Sequence, residues 1–148
     1  MPKSSVSIKS RSIADSELEH IEQCIVRAAL EAGDLVKSRF GGILEVSSKG
    51  IRAGKDLVTD VDRDSQNLIA NIMMETCPGH MLLGEEDPPD GKPEASEWLW
   101  VVDPIDGTTN YVNSSNIYAI SIAALYKGET LAAAIWIPWP NDNGFELM

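Results

Sequence analysis

The feature that most constrains this chain is the stretch WVVDPIDGTTN at residues 100–110, where an apolar run meets two aspartates around a proline. The apolar residues predict a buried strand that ends at Val102 and delivers Asp103 to the edge of a sheet. Pro104 then fixes the backbone so that Asp106 returns toward the same point. Two carboxylates about 4 Å apart repel each other by roughly 4 kcal/mol at an effective dielectric of about 20, so the arrangement requires a cation or a proton between them.

Length and charge limit the classes of protein that the chain can represent. Its 148 residues fit one domain with a single core. A formal net charge of −11 leaves no basic stripe to neutralise phosphates, which argues against a nucleic-acid or anionic-membrane partner. Because no apolar run is long enough to span a bilayer, we expect a cytoplasmic protein.

The first residues, MPKSSVSIKSRSI, are rich in serine, include Lys3 and Arg11, and precede the first acidic residue, Asp15. This composition predicts a flexible leader over residues 1–14. An organelle transit segment is the alternative, although the stretch is short and lacks a clear amphipathic pattern. We therefore expect the folded part of the chain at residues 15–148.

The two cysteines, Cys24 and Cys77, lie far apart in the sequence. Neither belongs to a CxxC motif, and the sequence suggests no histidine partner at metal spacing for either. We therefore expect buried, reduced thiols rather than a disulfide or a zinc site, which fits a reducing compartment. His20 is interpreted as a solvent-facing residue of a helix.

Apolar residues at helical spacing predict one long amphipathic helix over residues 16–40. A capping box formed by Ser16 and Glu19 is expected to start this helix, and Gly41 with Gly42 to stop it. A second helix follows the KDLVTDVD stretch.

The second helix is predicted to be capped by Thr59 or Asp60 and to end at Pro78 and Gly79. Short apolar runs further along the chain predict strands, at residues 43–46, 81–83, 117–126 and 131–136. The last two strands are joined at residues 127–129. Both Trp136 and Trp139 are expected to pack in the core or on the face of a sheet.

Five carboxylates stand beside predicted strands or helix starts and are candidates for one shared site: Asp56, Asp62, Glu85, Asp103 and Asp106. Oxygen ligands without histidine or cysteine suit Mg²⁺ before Ca²⁺ or Mn²⁺. Gly107 and Thr108 stand at the start of a short helix and offer backbone N–H groups to a phosphate. From the residues alone, an acid-rich surface loop remains the alternative to a metal and phosphate site.

Three linked stretches resemble signatures of the inositol monophosphatase family. These are KDLVTDVD at residues 55–62, GEED at residues 84–87 and DPIDGTTN at residues 103–110. The resemblance implies an α+β fold, a layered α/β sandwich like that of inositol monophosphatases, with two long helices packed on a mainly antiparallel sheet. It also implies Mg²⁺ as cofactor and a small-molecule phosphomonoester as partner.

The resemblance implies metal and substrate roles for the acidic residues. Glu85 and Asp103 resemble ligands of a first metal, with the backbone carbonyl of Ile105, and Asp103 and Asp106 resemble ligands of a second. Asp106 and Glu85 are also expected to contact the substrate. Among the remaining acidic residues, Asp56, Asp60 and Glu86 are assigned structural roles first.

The resemblance also implies a catalytic pair. Asp62 and Thr108 resemble the residues that orient and deprotonate the attacking water, and Gly107 and Thr108 those that bind phosphate through N–H groups. Lys49 resembles a loop lysine near the site, although its spacing from the DLVTDVD stretch is longer than in relatives.

Family members continue into a second α/β half with a WDxAAG-type motif, and the 148 residues contain no such motif. We therefore expect the N-terminal, metal-binding part of the domain, from a fragment or a shortened relative, with little phosphatase activity by itself. The expected reaction is hydrolysis of inositol monophosphate or a similar sugar phosphate by direct, metal-activated water attack, with lithium sensitivity.

Alternatives of two kinds remain open. The substrate alternatives are phosphoadenosine phosphate, fructose bisphosphate and histidinol phosphate. The alternative from another class is a non-catalytic metal-binding fragment or partner subunit, and a homodimer is also left open.

Overall fold

The computed structural model of the chain describes residues 13–48, 57–86, 96–139 and 145–147. Within these residues, helices and strands follow in the order α1 (Asp15–Arg39), β1 (Val46–Ser48), β2 (Leu57–Thr59), α2 (Asp60–Thr76), β3 (Met81–Gly84), β4 (Trp98–Asp106), α3 (Thr108–Val112), β5 (Ala119–Tyr126), β6 (Glu129–Trp136) and β7 (Phe145–Leu147). None of the described helices has the length and apolar character needed to cross a membrane.

Helix α1 begins one residue earlier than predicted, and its predicted capping box is wrong. Ala14 occupies the N-cap position without a side-chain cap, and Ser16 lies inside the first turn. The N–H groups of Glu17 and Leu18 donate to the carbonyl of Ala14, so the helix starts from backbone bonds alone. Its predicted end is confirmed, because the helix stops at Arg39, just before Gly41.

Helix α2 is capped by Thr59, as predicted. The Asp62 N–H donates to Thr59 Oγ1 at 3.3 Å, and the Thr59 N–H donates to Asp62 Oδ2 at 2.8 Å. This reciprocal pair satisfies two of the N–H groups that a helix start leaves without partners. The helix ends at Thr76, and the N–H of Cys77 closes the last turn on the carbonyl of Met73.

The main sheet of the described residues has five strands in the order β3-β4-β5-β6-β7. Strands β3 and β4 run parallel, and each later neighbour is antiparallel. Buried residues alternate along β5 and β6, because α1 covers one face of these strands and α2 packs beside it against β4. Two long helices on a mainly antiparallel sheet confirm the predicted fold class.

Several predicted strand boundaries are shifted. Strand β4 continues through Asp106 rather than ending at Val102, and the strand predicted at residues 43–46 instead starts at Val46. Trp136 is buried, as predicted, but Trp139 has 68% of its surface exposed, so its predicted place in the core is wrong. Trp139 lies three residues beyond the end of β6, which stops at Trp136.

The contact between α1 and β6 depends on a glycine. A Cβ atom at Gly33 would lie 2.3 Å from the indole ring of Trp136, which is too close for any side chain. Gly33 therefore lets the helix backbone approach the sheet, at the cost of reduced helix propensity. A further aromatic residue packs near this contact, since the ring centroids of Tyr118 and Trp136 lie 6.3 Å apart.

Both cysteines are buried thiols, as predicted. The prediction that no histidine lies at metal spacing is wrong, because His20 lies one helical turn before Cys24 on α1. Its ring nitrogen Nε2 is 3.6 Å from the Cys24 sulfur. The end of α2 brings Cys77 to the same place.

Candidate active site

Strands β3 and β4 place Glu85 and Asp103 side by side. Their parallel register pairs Gly84 with Val102, and the Glu85 N–H continues the ladder by donating to the Val102 carbonyl at 3.0 Å. The residue that follows this pair on each chain segment is therefore acidic, since Glu85 comes directly after the end of β3 and Asp103 lies beside it on β4. Open sheets with parallel strands bind ligands at the carboxyl ends of those strands.

The Asp103 carboxyl group is half-buried beside two other acidic side chains. Burial raises its pKa to about 7, and a hydrogen bond with Glu85 and the charges of Glu85 and Asp106 act in the same direction. Its Oδ1 atom is buried and has no hydrogen-bond partner among the described residues. A proton on Asp103 at neutral pH therefore reduces the repulsion between this carboxyl group and its acidic neighbours.

A bulge turns the end of β4 back toward the site. Asp103 pairs with Ser121 and Asp106 with Ala119, so two residues of β4 oppose one residue of β5. The hydroxyl of Ser65 on α2 donates to the carbonyl of Pro104 at 3.1 Å and ties this bulge to the helix. The bulge thus explains how two aspartates separated by a proline and an isoleucine come within electrostatic range.

Asp62 is the acidic residue that the fold buries most fully among those described, with 1% of its surface exposed. Its Oδ2 atom accepts from the Thr59 N–H at 2.8 Å and from the Thr59 hydroxyl at 2.5 Å. Its Oδ1 atom accepts from the Thr108 hydroxyl at 2.9 Å. Three donors therefore hold this carboxylate in one orientation, with Oδ1 directed to Thr108.

Thr108 connects Asp62 to the aspartate-rich end of β4. Its hydroxyl lies 2.9 Å from Asp62 Oδ1 and 3.0 Å from the Ile105 carbonyl oxygen. A hydroxyl has one proton to donate, so only one of these acceptors receives it at a time. Gly107, the N-cap of α3, has a φ of 86°, a left-handed conformation that favours glycine and turns the chain from β4 into the helix.

Sequence reasoning did not identify Gln66 as part of the site. Its Oε1 atom accepts from the Glu86 N–H at 3.0 Å, and a Cβ atom at Gly84 would lie 2.1 Å from the same oxygen. The amide of Gln66 thus packs against the backbone that carries Glu85. Two adjacent polar residues, Ser65 and Gln66, on the buried face of an amphipathic helix were the available signal.

A cavity of about 520 Å³ opens next to the acidic residues. Asp106 and Gly107 form one side of it, and Asn110, Tyr118 and Trp139 contribute to the other sides. The cavity places a space for a small molecule directly beside the carboxylates. This cavity is not predictable from the sequence, because its walls come from three separate segments of the chain.

The structure brings together seven of the predicted site residues: Asp62, Glu85, Asp103, Ile105, Asp106, Gly107 and Thr108. Lys49 and Asp56 lie outside the described residues. Asp60 faces away from the site, where it accepts from Arg39 at 2.5 Å and from the Glu45 N–H at 3.0 Å. Burial alone would raise the pKa of Asp60, but these hydrogen bonds lower it, which fits the expected structural role.

The atoms at this site that could coordinate a metal ion are all oxygens. Carboxylates at Glu85, Asp103 and Asp106 and the Ile105 carbonyl form the kind of set that Mg²⁺ prefers over softer cations. A cation here would give Asp103 Oδ1 the partner it lacks. The residues therefore fit a hard divalent cation, next to a hydrogen-bonded carboxylate and hydroxyl pair.

Comparison with known proteins gives consistent results. The sequence profile of the inositol monophosphatase family matches residues 17–146. The Nus factor SuhB of Pseudomonas aeruginosa is 39% identical over 116 residues, covering 76% of this chain and 42% of that protein. The fructose-1,6-bisphosphatase/inositol-1-monophosphatase of Aquifex aeolicus is 34% identical over 114 residues, covering 76% of this chain and 41% of that protein.

A solved structure of an IMPase/NADP phosphatase, complexed with Mg²⁺ and phosphate, has the same fold in the matched part. It superimposes with a TM-score of 0.70 at 29% identity and covers 82% of this chain and 45% of that one. The chain thus spans less than half the length of the relatives it matches.

Proposed function

Because the chain belongs to the inositol monophosphatase family, we propose that it forms the metal-binding part of a Mg²⁺-dependent phosphomonoesterase. The substrate class is inositol monophosphate or a similar sugar phosphate. The observation that carries this proposal is the buried Asp103 Oδ1 atom, which has no partner among the described residues and lies beside Glu85.

The proposed metal ligands are the carboxylates of Glu85, Asp103 and Asp106 and the carbonyl of Ile105. When bound, Mg²⁺ supplies positive charge that lowers the pKa of water and offsets the charge of a phosphate group. The relative solved with Mg²⁺ and phosphate supports this choice of cation. The need for a cation at this site follows from the mutual repulsion of the carboxylates.

Asp62 and Thr108 are proposed to accept the proton of the attacking water. Thr59 occupies Oδ2 of Asp62 with two donors, so Oδ1 is the atom that faces Thr108. When the Thr108 hydroxyl donates to Oδ1, its lone pairs are available to a water molecule on the side away from Asp62. The proton of that water then passes to Thr108 as the Thr108 proton passes to Asp62.

The substrate is proposed to lie between the metal ligands and the cavity beside Asp106. Backbone N–H groups of Gly107 and Thr108 are assigned to its phosphate, and Asp106 and Glu85 to contacts with the substrate. The cavity walls at Asn110 and Tyr118 provide a polar and an aromatic surface for the rest of the molecule. The Aquifex relative, named for both a fructose bisphosphatase and an inositol monophosphatase, supports a sugar phosphate as the substrate class.

The proposal extends to a cytoplasmic location and to inhibition by lithium. The location is supported by two buried thiols that form no disulfide, and lithium inhibition by the family resemblance of the signature motifs. A second candidate is a non-catalytic role as a partner subunit, which the name of the Pseudomonas relative, a Nus factor, favours. The two candidates differ in what they predict for Thr108→Ala: a phosphatase should lose turnover, whereas a non-catalytic subunit has no turnover to lose.

The test is titration calorimetry of the chain with inorganic phosphate, in the presence and absence of Mg²⁺, followed by phosphate release from inositol 1-phosphate. We expect phosphate to bind only when Mg²⁺ is present, and turnover to be slow because the chain spans less than half of its relatives. Thr108→Ala should keep Mg²⁺ binding and reduce any lithium-sensitive turnover by about 10²-fold or more. Phosphate binding that does not depend on Mg²⁺ would contradict the proposal.

A further inference from the structure

A second group of metal-ligating side chains lies at the other end of α2. His20 and Cys24 lie one turn apart on α1, and Cys77 is the C-cap residue of α2. A ring nitrogen of His20 and the two sulfur atoms all lie within 4.8 Å of one another. Because the 17 residues of α2 extend about 25 Å at 1.5 Å per residue, this thiol cluster is separate from the carboxylate site.

The His20 ring contacts both the end of α2 and the Cys24 sulfur. Its Nε2 atom lies 2.8 Å from the Thr76 carbonyl oxygen, a contact that needs a proton on Nε2. The unprotonated atom is then Nδ1, which lies 4.0 Å from the Cys24 sulfur, compared with 3.6 Å for Nε2, so a small rotation of the ring brings Nδ1 toward the thiols. Histidines that bind metal generally donate their other ring N–H to a carbonyl or carboxylate, which fixes the tautomer and the ring.

The spacing of the cluster is close to that of a tetrahedral centre. With Zn–S bonds of about 2.3 Å and Zn–N bonds of about 2.0–2.1 Å, neighbouring ligand atoms in such a centre lie roughly 3.5 to 3.8 Å apart. The distances between the three ligand atoms, which are at most 4.8 Å, therefore need to shorten by no more than about 1.3 Å. Such a shift is within reach of side-chain rotations at His20 and at the end of α2.

The chemistry of the ligands selects the kind of cation. Thiolate and imidazole ligands favour Zn²⁺ over the hard cations that carboxylates bind. Both thiols are buried, with 4% and 3% of the surface of Cys24 and Cys77 exposed, and burial raises the pKa of Cys77 to about 11. Burial thus keeps the Cys77 thiol protonated in the absence of a cation, and a divalent cation that binds here is neutralised by two thiolates.

We propose that His20, Cys24 and Cys77 form a binding site for a thiophilic divalent cation of the Zn²⁺ type. The ion ties α1 to the end of α2, and its fourth position is open to water on the side of the exposed His20. Because the ligands come from two helices that pack against each other, binding stabilises the folded chain over the unfolded one.

The test is a titration of the reduced chain with Co²⁺, a spectroscopic substitute for Zn²⁺, in excess Mg²⁺ so that the carboxylate site is filled. The expected result is a thiolate-to-cobalt charge-transfer band and the visible bands of a tetrahedral centre, both removed by stoichiometric Zn²⁺. Cys24→Ser and Cys77→Ser should each lower the affinity for Zn²⁺ at least 100-fold, and His20→Asn at least tenfold. Glu85→Gln is the matched control and should leave the cobalt spectrum unchanged.

A second measurement on the unmodified chain avoids dependence on variants that fold poorly. Zn²⁺ should protect both thiols from alkylation and release about two protons per ion at neutral pH. A cobalt spectrum without a charge-transfer band, or thiols that react equally fast with and without Zn²⁺, would overturn the proposal.

Discussion

The two ends of α2 hold ligands of opposite character. Near its start, Glu85, Asp103 and Asp106 form an oxygen-only carboxylate site at the edge of the sheet, whereas the thiol cluster at its end offers sulfur and nitrogen. The carboxylates remain partly or fully exposed, and the two thiols are buried in the core. The oxygen ligands and the sulfur ligands thus differ in solvent exposure as well as in their position along α2.

Burial determines whether each group of side chains is charged in the absence of a cation. Carboxylates near water tend to ionise and repel one another, so Asp103 holds a proton only because burial and its acidic neighbours raise its pKa to about 7. Buried thiols pack as small apolar groups, and burial raises the pKa of Cys77 to about 11. A cation therefore relieves repulsion at the carboxylate site, whereas at the thiol cluster it must first displace protons. The two sites should differ in cation preference and in their response to substitution.

The largest expected effect comes from Glu85→Gln. This change keeps the shape of the side chain but removes one charged ligand, so Mg²⁺ affinity should fall roughly 10- to 100-fold or more. Zn²⁺ affinity at the thiol cluster should stay within about twofold, because the two sites are on the order of 25 Å apart. Calorimetric titration of both proteins with each ion measures the two effects.

The converse variant, Cys24→Ser, provides the matched control for this comparison. It should leave Mg²⁺ affinity unchanged while removing Zn²⁺ binding. If Glu85→Gln and the original chain bind Mg²⁺ equally well, Glu85 is not a ligand and the carboxylate site has been assigned incorrectly.

The sequence allowed most of the carboxylate site to be predicted, because its residues lie in three short motifs at strand ends and at a helix cap. Asp103 and Asp106 are separated by only two residues, and Thr59 caps α2 as its position predicts. The fold class follows from similarly local patterns. Helix spacing and strand alternation depend on neighbours in the chain, so they are visible before any tertiary contact is known.

What the sequence did not reveal depends on contacts between distant segments. The thiol cluster needs α1 and the end of α2 to pack together, and the amide of Gln66 on α2 reaches across to the backbone of Gly84 on β3. Local signals were also misread at Trp139, an apolar residue shortly after a strand that is exposed rather than packed in the core. Tertiary packing decided each of these cases.

The next largest effect concerns the stability of the metal-free chain and isolates the repulsion at the carboxylate site. Asp103 has a pKa of about 7 in the folded chain, against roughly 3.9 when unfolded. Because the folded state binds the proton more tightly, this residue makes folding less favourable as pH rises from about 4 to about 7, and has no such effect below that window. Asp103→Asn should therefore stabilise the chain at about pH 8 by roughly 1 to 3 kcal/mol, a range reduced for partial solvent screening.

Urea unfolding in the presence of a chelator, at about pH 5 and about pH 8, measures this change. The matched control is Asp60→Asn, because hydrogen bonds from Arg39 and Glu45 lower the pKa of Asp60 below its ordinary value. That variant should lose stability at about pH 8, the opposite direction. A gain from Asp103→Asn that is the same at both pH values would show that the carboxylate is not under electrostatic strain.

The smallest effect, from Gly84→Ala, tests whether the carboxylate site depends on Gln66. A Cβ atom at Gly84 would lie 2.1 Å from Gln66 Oε1, so the amide must turn away and release the Glu86 N–H, which it accepts at 3.0 Å. Because Glu85 precedes that N–H, its carboxylate should become less well held, and Mg²⁺ affinity should fall about three- to tenfold at a stability cost of about 1 kcal/mol. Gln66→Leu removes the same hydrogen bond without crowding the strand and should weaken Mg²⁺ binding equally, with no further loss in the double variant. Calorimetry with Mg²⁺ and Zn²⁺ separates the outcomes. Unchanged Mg²⁺ affinity in both single variants would show that Gln66 does not support the carboxylate site. A parallel loss of Zn²⁺ affinity would mean that the substitution disturbs the whole fold rather than one end of α2.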